Sequence, residues 1–171
     1  MLKLKNKIFV LAACAFSCLA AGCLHYTLKE SSIPKEVKTI RINYIENRAR
    51  YVNPQLGPQL TDKLRQKINS QTNRTLVQGD NADYDITGTI TDYAFSTSGI
   101  ASNRSATNRL TVTIHVKLLN RIDEKKNIDA DVSRSFEFDA NISIQQAEQQ
   151  LNESIIKNLT DEIFNRIFSN W

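Results

Sequence analysis

The chain has 171 residues, 41% of them hydrophobic, with 22 Lys and Arg against 18 Asp and Glu. Lys3, Lys5 and Lys7 lie at the start, where there is no acid, and the remainder is nearly balanced at 19 against 18, which excludes a global nucleic-acid or polyanion footprint. All cysteines (Cys14, Cys18 and Cys23) fall at or before position 23, so residues 24–171 hold no disulfide, thiol nucleophile or cysteine-based zinc site.

Met1 to Lys7 is basic, Ile8 to Ala21 is apolar or small, and Gly22-Cys23 follows. A charged start, an apolar centre and small residues before a cleavage point predict a secretory signal. The apolar run is shorter than the roughly 20 residues that cross a bilayer as a helix. Leu19-Ala20-Ala21-Gly22-Cys23 resembles a bacterial lipobox, in which the cysteine is acylated and becomes the first residue, although Ala20 stands where that pattern prefers leucine. Leu11-Ala12-Ala13-Cys14 matches the letters better, but it leaves only Ile8 to Ala13 as the apolar centre, below the roughly 7–15 residues such a centre uses. Cys18, after Ala15-Phe16-Ser17, fits least. Cys23 is therefore the expected lipidation site. The chain then divides into a signal peptide (1–22), a lipidated tether (23–34) and a single domain (35–171). The competing reading is a soluble periplasmic protein cut near Ala21 with a free thiol.

Within the domain, Ile40, Ile42 and Tyr44 alternate and predict a strand over Val37 to Ile45. Asn53-Pro54 and Gly57-Pro58 then punctuate a helix start, with Pro58 expected at the first helical position. Leu60, Leu64 and Ile68 form its apolar stripe, with Thr61, Lys63, Arg65 and Lys67 outside. A short strand is expected around Thr75 to Gln78. Tyr84, Ile86, Gly88 and Ile90 alternate, and the apolar phase then shifts to Tyr93 and Phe95, which predicts a bulge near Thr91-Asp92. Leu110, Val112, Ile114, Val116 and Leu118 alternate without a break. Ile128, Ala130, Val132, Phe136 and Phe138 keep one parity, interrupted by Arg134.

Ser143 and Gln146 form a predicted capping box, with Ile142 and Ala147 placed as a hydrophobic staple. Leu151, Ile155, Leu159, Ile163 and Ile167 follow at four-residue spacing, widened by Ile156, Phe164 and Phe168. The positions outside that stripe mix Glu148, Glu153, Asp161 and Glu162 with Lys157 and Arg166, too acidic for a helix lying on a membrane surface. The expected fold class is α+β: a single mixed, mainly antiparallel sheet of four to five strands with two helices packed on one face. The other face, with Thr111, Thr113, His115 and Lys117, is left to solvent or a partner.

Catalytic motifs are absent: there is no Gly-x-Ser-x-Gly, His-Glu-x-x-His or glycine-rich phosphate loop. His25 and His115 are far apart and make a poor ligand pair. Asp80, Asp83 and Asp85 lack the glycine and distal glutamate of a calcium loop, so no metal site is expected. Asp123-Glu124-Lys125-Lys126 is the charged connection of a hairpin. Ser96 to Asn108 is small and polar, with Arg104 inside and Arg109 at its exit. A planar guanidinium suits phosphate, so these two arginines are candidate contacts for an anionic headgroup; the alternative is a hairpin loop with solubilising charges.

Several stretches together resemble a known family. Ser32-Ile33-Pro34 to Tyr44, Asn47-Arg48-Ala49, Val52-Asn53-Pro54 and Leu60-Thr61-Asp62 are similar to the Bacteroidetes branch of the LptE-type lipopolysaccharide-assembly lipoproteins. So are Gly88-Thr89-Ile90-Thr91-Asp92-Tyr93, Asn108-Arg109-Leu110-Thr111-Val112, Asp123-Glu124-Lys125, Phe136-Glu137-Phe138-Asp139, Asp161-Glu162-Ile163-Phe164-Asn165 and Asn170-Trp171. The resemblance implies a cofactor-free, non-enzymatic lipoprotein on the inner leaflet of the outer membrane, facing the periplasm. It would plug a large LptD-like β-barrel, help it assemble, and help lipopolysaccharide reach the cell surface. No lipopolysaccharide-contacting residue is carried over from the family. Leu24 after Cys23 is not the aspartate that commonly retains lipoproteins at the inner membrane, and residues 24–28 hold no acidic surface-export cluster. Two alternatives stand beside this reading: a periplasm-facing lipoprotein that binds and activates an envelope enzyme, and a hydrolase with an unfamiliar site.

Overall fold

Leu110, Val112, Ile114, Val116 and Leu118 are all buried along one face of strand β5 (Thr107–Asn120), the central rail of the structure. The computed structural model describes residues 33–98 and 107–169. Around β5 stand β1 (Thr39–Ile42), β2 (Glu46–Asn47), β3 (Thr75–Leu76), β4 (Tyr84–Ser98) and β6 (Ile128–Asp139). The sheet order is β3-β1-β4-β5-β6, with β2 also paired to β4. The β4–β5 and β5–β6 pairs are antiparallel, whereas β1 runs parallel to both β3 and β4, and β2 parallel to β4. Helices α1 (Leu56–Gln71) and α2 (Ile144–Phe168) bury Leu60, Leu64 and Ile68, and Ile155, Leu159 and Ile163, in the same core. Each such side chain contributes about 1.5–3 kcal/mol by leaving water.

The α+β class is as expected, with six strands instead of four to five because pairing resumes in a two-residue strand just past the end of the first predicted one. β1 ends at Ile42 and β2 begins at Glu46. Between them Ile45 turns into the core, 1% exposed, and Tyr44 faces outward at 55%, reversing the simple alternation. Asn43 N and Arg48 N still donate to Ile86 O and Ile90 O of β4, both at 2.9 Å. The break exists because helix α1 presses on it. A Cβ on Gly57 would stand 2.4 Å from the backbone oxygen of Ile45, and one on Gly88 would meet Ile45 Cγ1 at 3.1 Å.

α1 starts two residues earlier than its sequence suggests, with Pro58 third in the helix. Proline is tolerated there because the first-turn amides have no intrahelical acceptor. Thr61, expected outside, is buried. Its hydroxyl accepts from Ile45 N (3.0 Å) and donates to Gly57 O (2.8 Å), so a polar residue satisfies the backbone of the strand break.

The bulge falls where the apolar phase shifts. Ile90 pairs with Ile114 and Asp92 with Thr113, which brings Tyr93 back to the buried face. The capping box of α2 is also formed: Ser143 Oγ accepts from Gln146 N (3.2 Å) and Gln146 Oε1 from Ser143 N (3.0 Å). Arg134 keeps the parity of its apolar neighbours but reaches Glu162 on α2 and stays exposed. Lys67 is half-buried, 2.7 Å from Asp161 and over the ring of Phe164, which ties α1 to α2.

Asp83 joins β1 to β4. Its Oδ2 accepts from Lys38 N (2.8 Å), Thr39 N (2.9 Å) and Thr39 Oγ1 (2.9 Å). These backbone donors hold its carboxyl below the ordinary carboxylate value. A folded value below the unfolded one gives stabilisation that is complete above the unfolded value of about 3.8 and is lost as pH falls through the folded value. The urea midpoint of Asp83→Asn should therefore lie below wild type by a constant gap at neutral pH. The gap should narrow below about pH 4; a pH-independent gap would show that the carboxylate charge plays no part.

Candidate partner-binding surface

Both helices occupy one sheet face, and the side chains that alternate outward from β4, β5 and β6 form the other. Its centre is a row of hydroxyls: Thr111 Oγ1 lies 2.9 Å from Ser135 Oγ, and Thr113 Oγ1 lies 3.0 Å from Ser133 Oγ. Toward one end His115 is bracketed by two carboxylates, with Nδ1 2.7 Å from Asp131 and Nε2 3.1 Å from Asp129; Lys117 Nζ is 3.2 Å from the other oxygen of Asp129. Toward the other end Arg109 pairs with Glu137 at 3.0 Å. Cross-strand pairs of this kind hold register and contribute about 0.2–1 kcal/mol each. The face is polar and charge-paired and offers hydrogen bonds in both directions. It suits a wet polar partner surface better than lipid.

Of the residues singled out from sequence, Cys23, His25 and Arg104 lie outside the described residues. Arg109 stands at the root of the β4–β5 hairpin, 44% exposed, its charge shared with Glu137. The three aspartates do not converge. Asp83 caps β1; Asp85 receives Asn43 Nδ2 (2.6 Å) and lies 3.3 Å from Arg41 Nε; Asp80 pairs with Arg41. Among the described residues no group of three or more His, Cys, Asp or Glu side chains is placed to hold a metal ion. Asp123 accepts from Lys125 N (3.2 Å) in a short 3-10 turn between β5 and β6, a structural use of the charged hairpin connection.

The hairpin end of the body carries an aromatic group that sequence reasoning did not assemble. Tyr51 stacks on Tyr93 (5.5 Å), Phe95 meets both rings edge-on, and Phe138 closes the group at 6.0 Å from Phe95. Glu148, expected to be a solvated helix charge, is its polar hub: it accepts from Tyr93 OH (2.9 Å), Tyr51 OH (3.3 Å) and Asn53 Nδ2 (3.3 Å). Burial, first, and then the Glu148 carboxylate push the Tyr51 hydroxyl up from its ordinary pKa; burial pushes Tyr93 strongly up. Both rings therefore stay neutral donors at physiological pH. The shift of phase at the bulge, which puts Tyr93 and Phe95 on the buried side, was the available signal; the partner Tyr51 comes from a loop with no periodicity.

An open cleft of about 490 Å³ lies at the other end, lined in part by Ile33, Pro34, Tyr84, Ile128, Arg166 and Ile167. Among the described residues no helix is long and apolar enough to cross a membrane.

The sequence profile of LptE, described as lipopolysaccharide-assembly, matches residues 37–167. No curated protein matches the chain in sequence. Among solved structures the chain is similar to a minor lipoprotein from Acinetobacter baumannii, at 16% identity and a TM-score of 0.53, covering 79% of this chain and 95% of that one. It is also similar to an uncharacterized lipoprotein B from Nitrosomonas europaea, at 11% identity and a TM-score of 0.50, covering 85% and 88%. A hypothetical protein from Chlamydia trachomatis gives 7% identity and a TM-score of 0.50, covering 78% and 99%. At these identities the likeness is one of fold.

Proposed function

The chain belongs to the LptE family of lipopolysaccharide-assembly proteins, and on that premise we propose that it plugs and helps assemble a large outer-membrane β-barrel through which lipopolysaccharide reaches the cell surface. It is an assembly lipoprotein, not an enzyme. In the proposed arrangement lipid on Cys23 holds the protein on the inner leaflet of the outer membrane, facing the periplasm. The folded body then fills the lumen of an LptD-like partner. The family match across almost the whole body carries this reading. The open polar sheet face supports it, because the interior of a large barrel is itself polar. Crosslinking in the intact envelope, followed by isolation of the complex, tests it. Recovery of a large β-barrel is the expected result, and recovery of a soluble or inner-membrane enzyme instead would replace it with the activator reading.

Within the same proposal the Ser96 to Asn108 hairpin meets the phosphorylated headgroup of lipopolysaccharide through Arg104 and Arg109. Arg109 already shares its charge with Glu137. Charge-assisted bonds to phosphate contribute about 1.5–3 kcal/mol. Arg104→Ala with Arg109→Ala should thus weaken binding to purified lipopolysaccharide about tenfold or more. Unchanged affinity of the double variant would remove both residues from the site.

A further inference from the structure

Strand β6 is the last in the sheet, and its twelve residues are paired on the β5 side alone. The opposite end of the sheet closes in β3, two residues long. The direction of each β6 amide follows from the ladder. Arg121 N donates to Asp83 O at 2.9 Å, so odd-numbered residues of β5 address β4 and even-numbered ones address β6. On β6 the even-numbered residues lie opposite even-numbered β5 partners and address them, so the odd-numbered Asp129, Asp131, Ser133, Ser135 and Glu137 aim N–H and C=O away from β5. Among the described residues these edge groups have no backbone partner. The strand contains no proline or bulge, two of the devices that blunt an exposed edge; it carries charges instead, and the inward-lying one, Arg134, is turned to Glu162.

We infer that this edge accepts an extended segment of a partner protein, which adds a strand beside β6 and presents basic side chains next to Asp129, Asp131 and Glu137. Strand addition takes its affinity from main-chain hydrogen bonds and its selectivity from alternate side chains. On the β5 side those carboxylates meet Lys117, His115 and Arg109, and their side chains remain 59–66% exposed. A second copy of this chain is disfavoured in the registers that pair nearly the whole strand. Antiparallel pairing about Arg134 sets Asp131 opposite Glu137 and Asp129 opposite Asp139, and in-register parallel pairing sets every acid beside itself; like charges directly opposite destabilise a sheet. Only the partner's identity as a barrel rests on the proposed function.

Residue-resolved hydrogen exchange tests the inference on the protein alone and on the assembly extracted from the envelope. In the free protein the amides of Asp131, Ser133, Ser135 and Glu137 should exchange readily while those of Val132, Arg134 and Phe136 are protected. In the assembly the odd-numbered set should slow about tenfold or more. Unchanged exchange of that set overturns the inference, whichever partner is recovered. Slowed exchange in an assembly without a β-barrel supports it and removes the barrel reading instead. Ser133→Pro, which deletes an outward N–H and leaves the β5 ladder intact, should lower recovery of the assembly relative to Ser133→Ala. Equal recovery of the two folded variants counts against strand addition.

Discussion

Cys23→Ala should move the protein from the membrane pellet to the soluble fraction with its fold unchanged. Each buried methylene contributes about 0.8 kcal/mol, and one acyl chain alone gives only marginal anchoring; several chains on one cysteine give stable anchoring. The body is expected to fold without that lipid, because among the described residues the buried side chains from Ile33 to Phe168 form one core among themselves. Circular dichroism and thermal unfolding of the released protein should therefore match those of the lipidated form. Fractionation after expression, with radiolabelled palmitate, separates the outcomes. Loss of label together with release is the expected result. Loss of label without release would show that partner binding alone retains the protein, and label retained would move the acylation to Cys14 or Cys18.

Gly57→Ala is the second large effect, a single methyl placed where there is no room. Its Cβ would stand 2.4 Å from Ile45 O, a backbone atom that cannot rotate aside. Relief requires the first turn of α1 to lift from the sheet, which also draws Thr61 Oγ1 away from Ile45 N. Overpacking and a buried amide left without its acceptor together cost about 2–4 kcal/mol, a drop in Tm on the order of 10 °C for a body of this size. Gly88→Ala is the control, since its Cβ meets the side chain of Ile45 at 3.1 Å and that group can shift. Its loss should stay near 1 kcal/mol. Equal urea midpoints for the two variants would contradict the account of the strand break.

The legible parts of the fold were those set by local pattern. Five alternating apolar residues specify β5, the phase shift at Thr91 specifies the bulge, and Ser143 with Gln146 specifies the start of α2. Illegible were the features decided between distant segments. Thr61 looks solvent-facing by helical period, yet the strand break 16 residues earlier needs its hydroxyl. Tyr44 follows the alternation until Gly57 and Gly88 admit Ile45 in its place. Glu148 has the composition of a surface charge, and only the meeting of Tyr51, Asn53 and Tyr93 gives it a role. The candidate surface was legible as a parity, Thr111, Thr113, His115 and Lys117 on one side of β5. Its pairing partners on β6 were not, because register across a hairpin depends on the connection that joins the strands.

The bulge at Thr91 also governs how this chain can change over generations. It is a reading-frame marker for the sheet: upstream the even positions Ile86 and Ile90 are inside, downstream the odd position Tyr93 is. A regular strand of the same letters, with the bulge flattened and no residue lost, would put Asp92 and Ala94 on the buried side in place of Tyr93 and Phe95. Substitutions that respect parity cost little by comparison, so descendants can drift to low identity and keep the architecture.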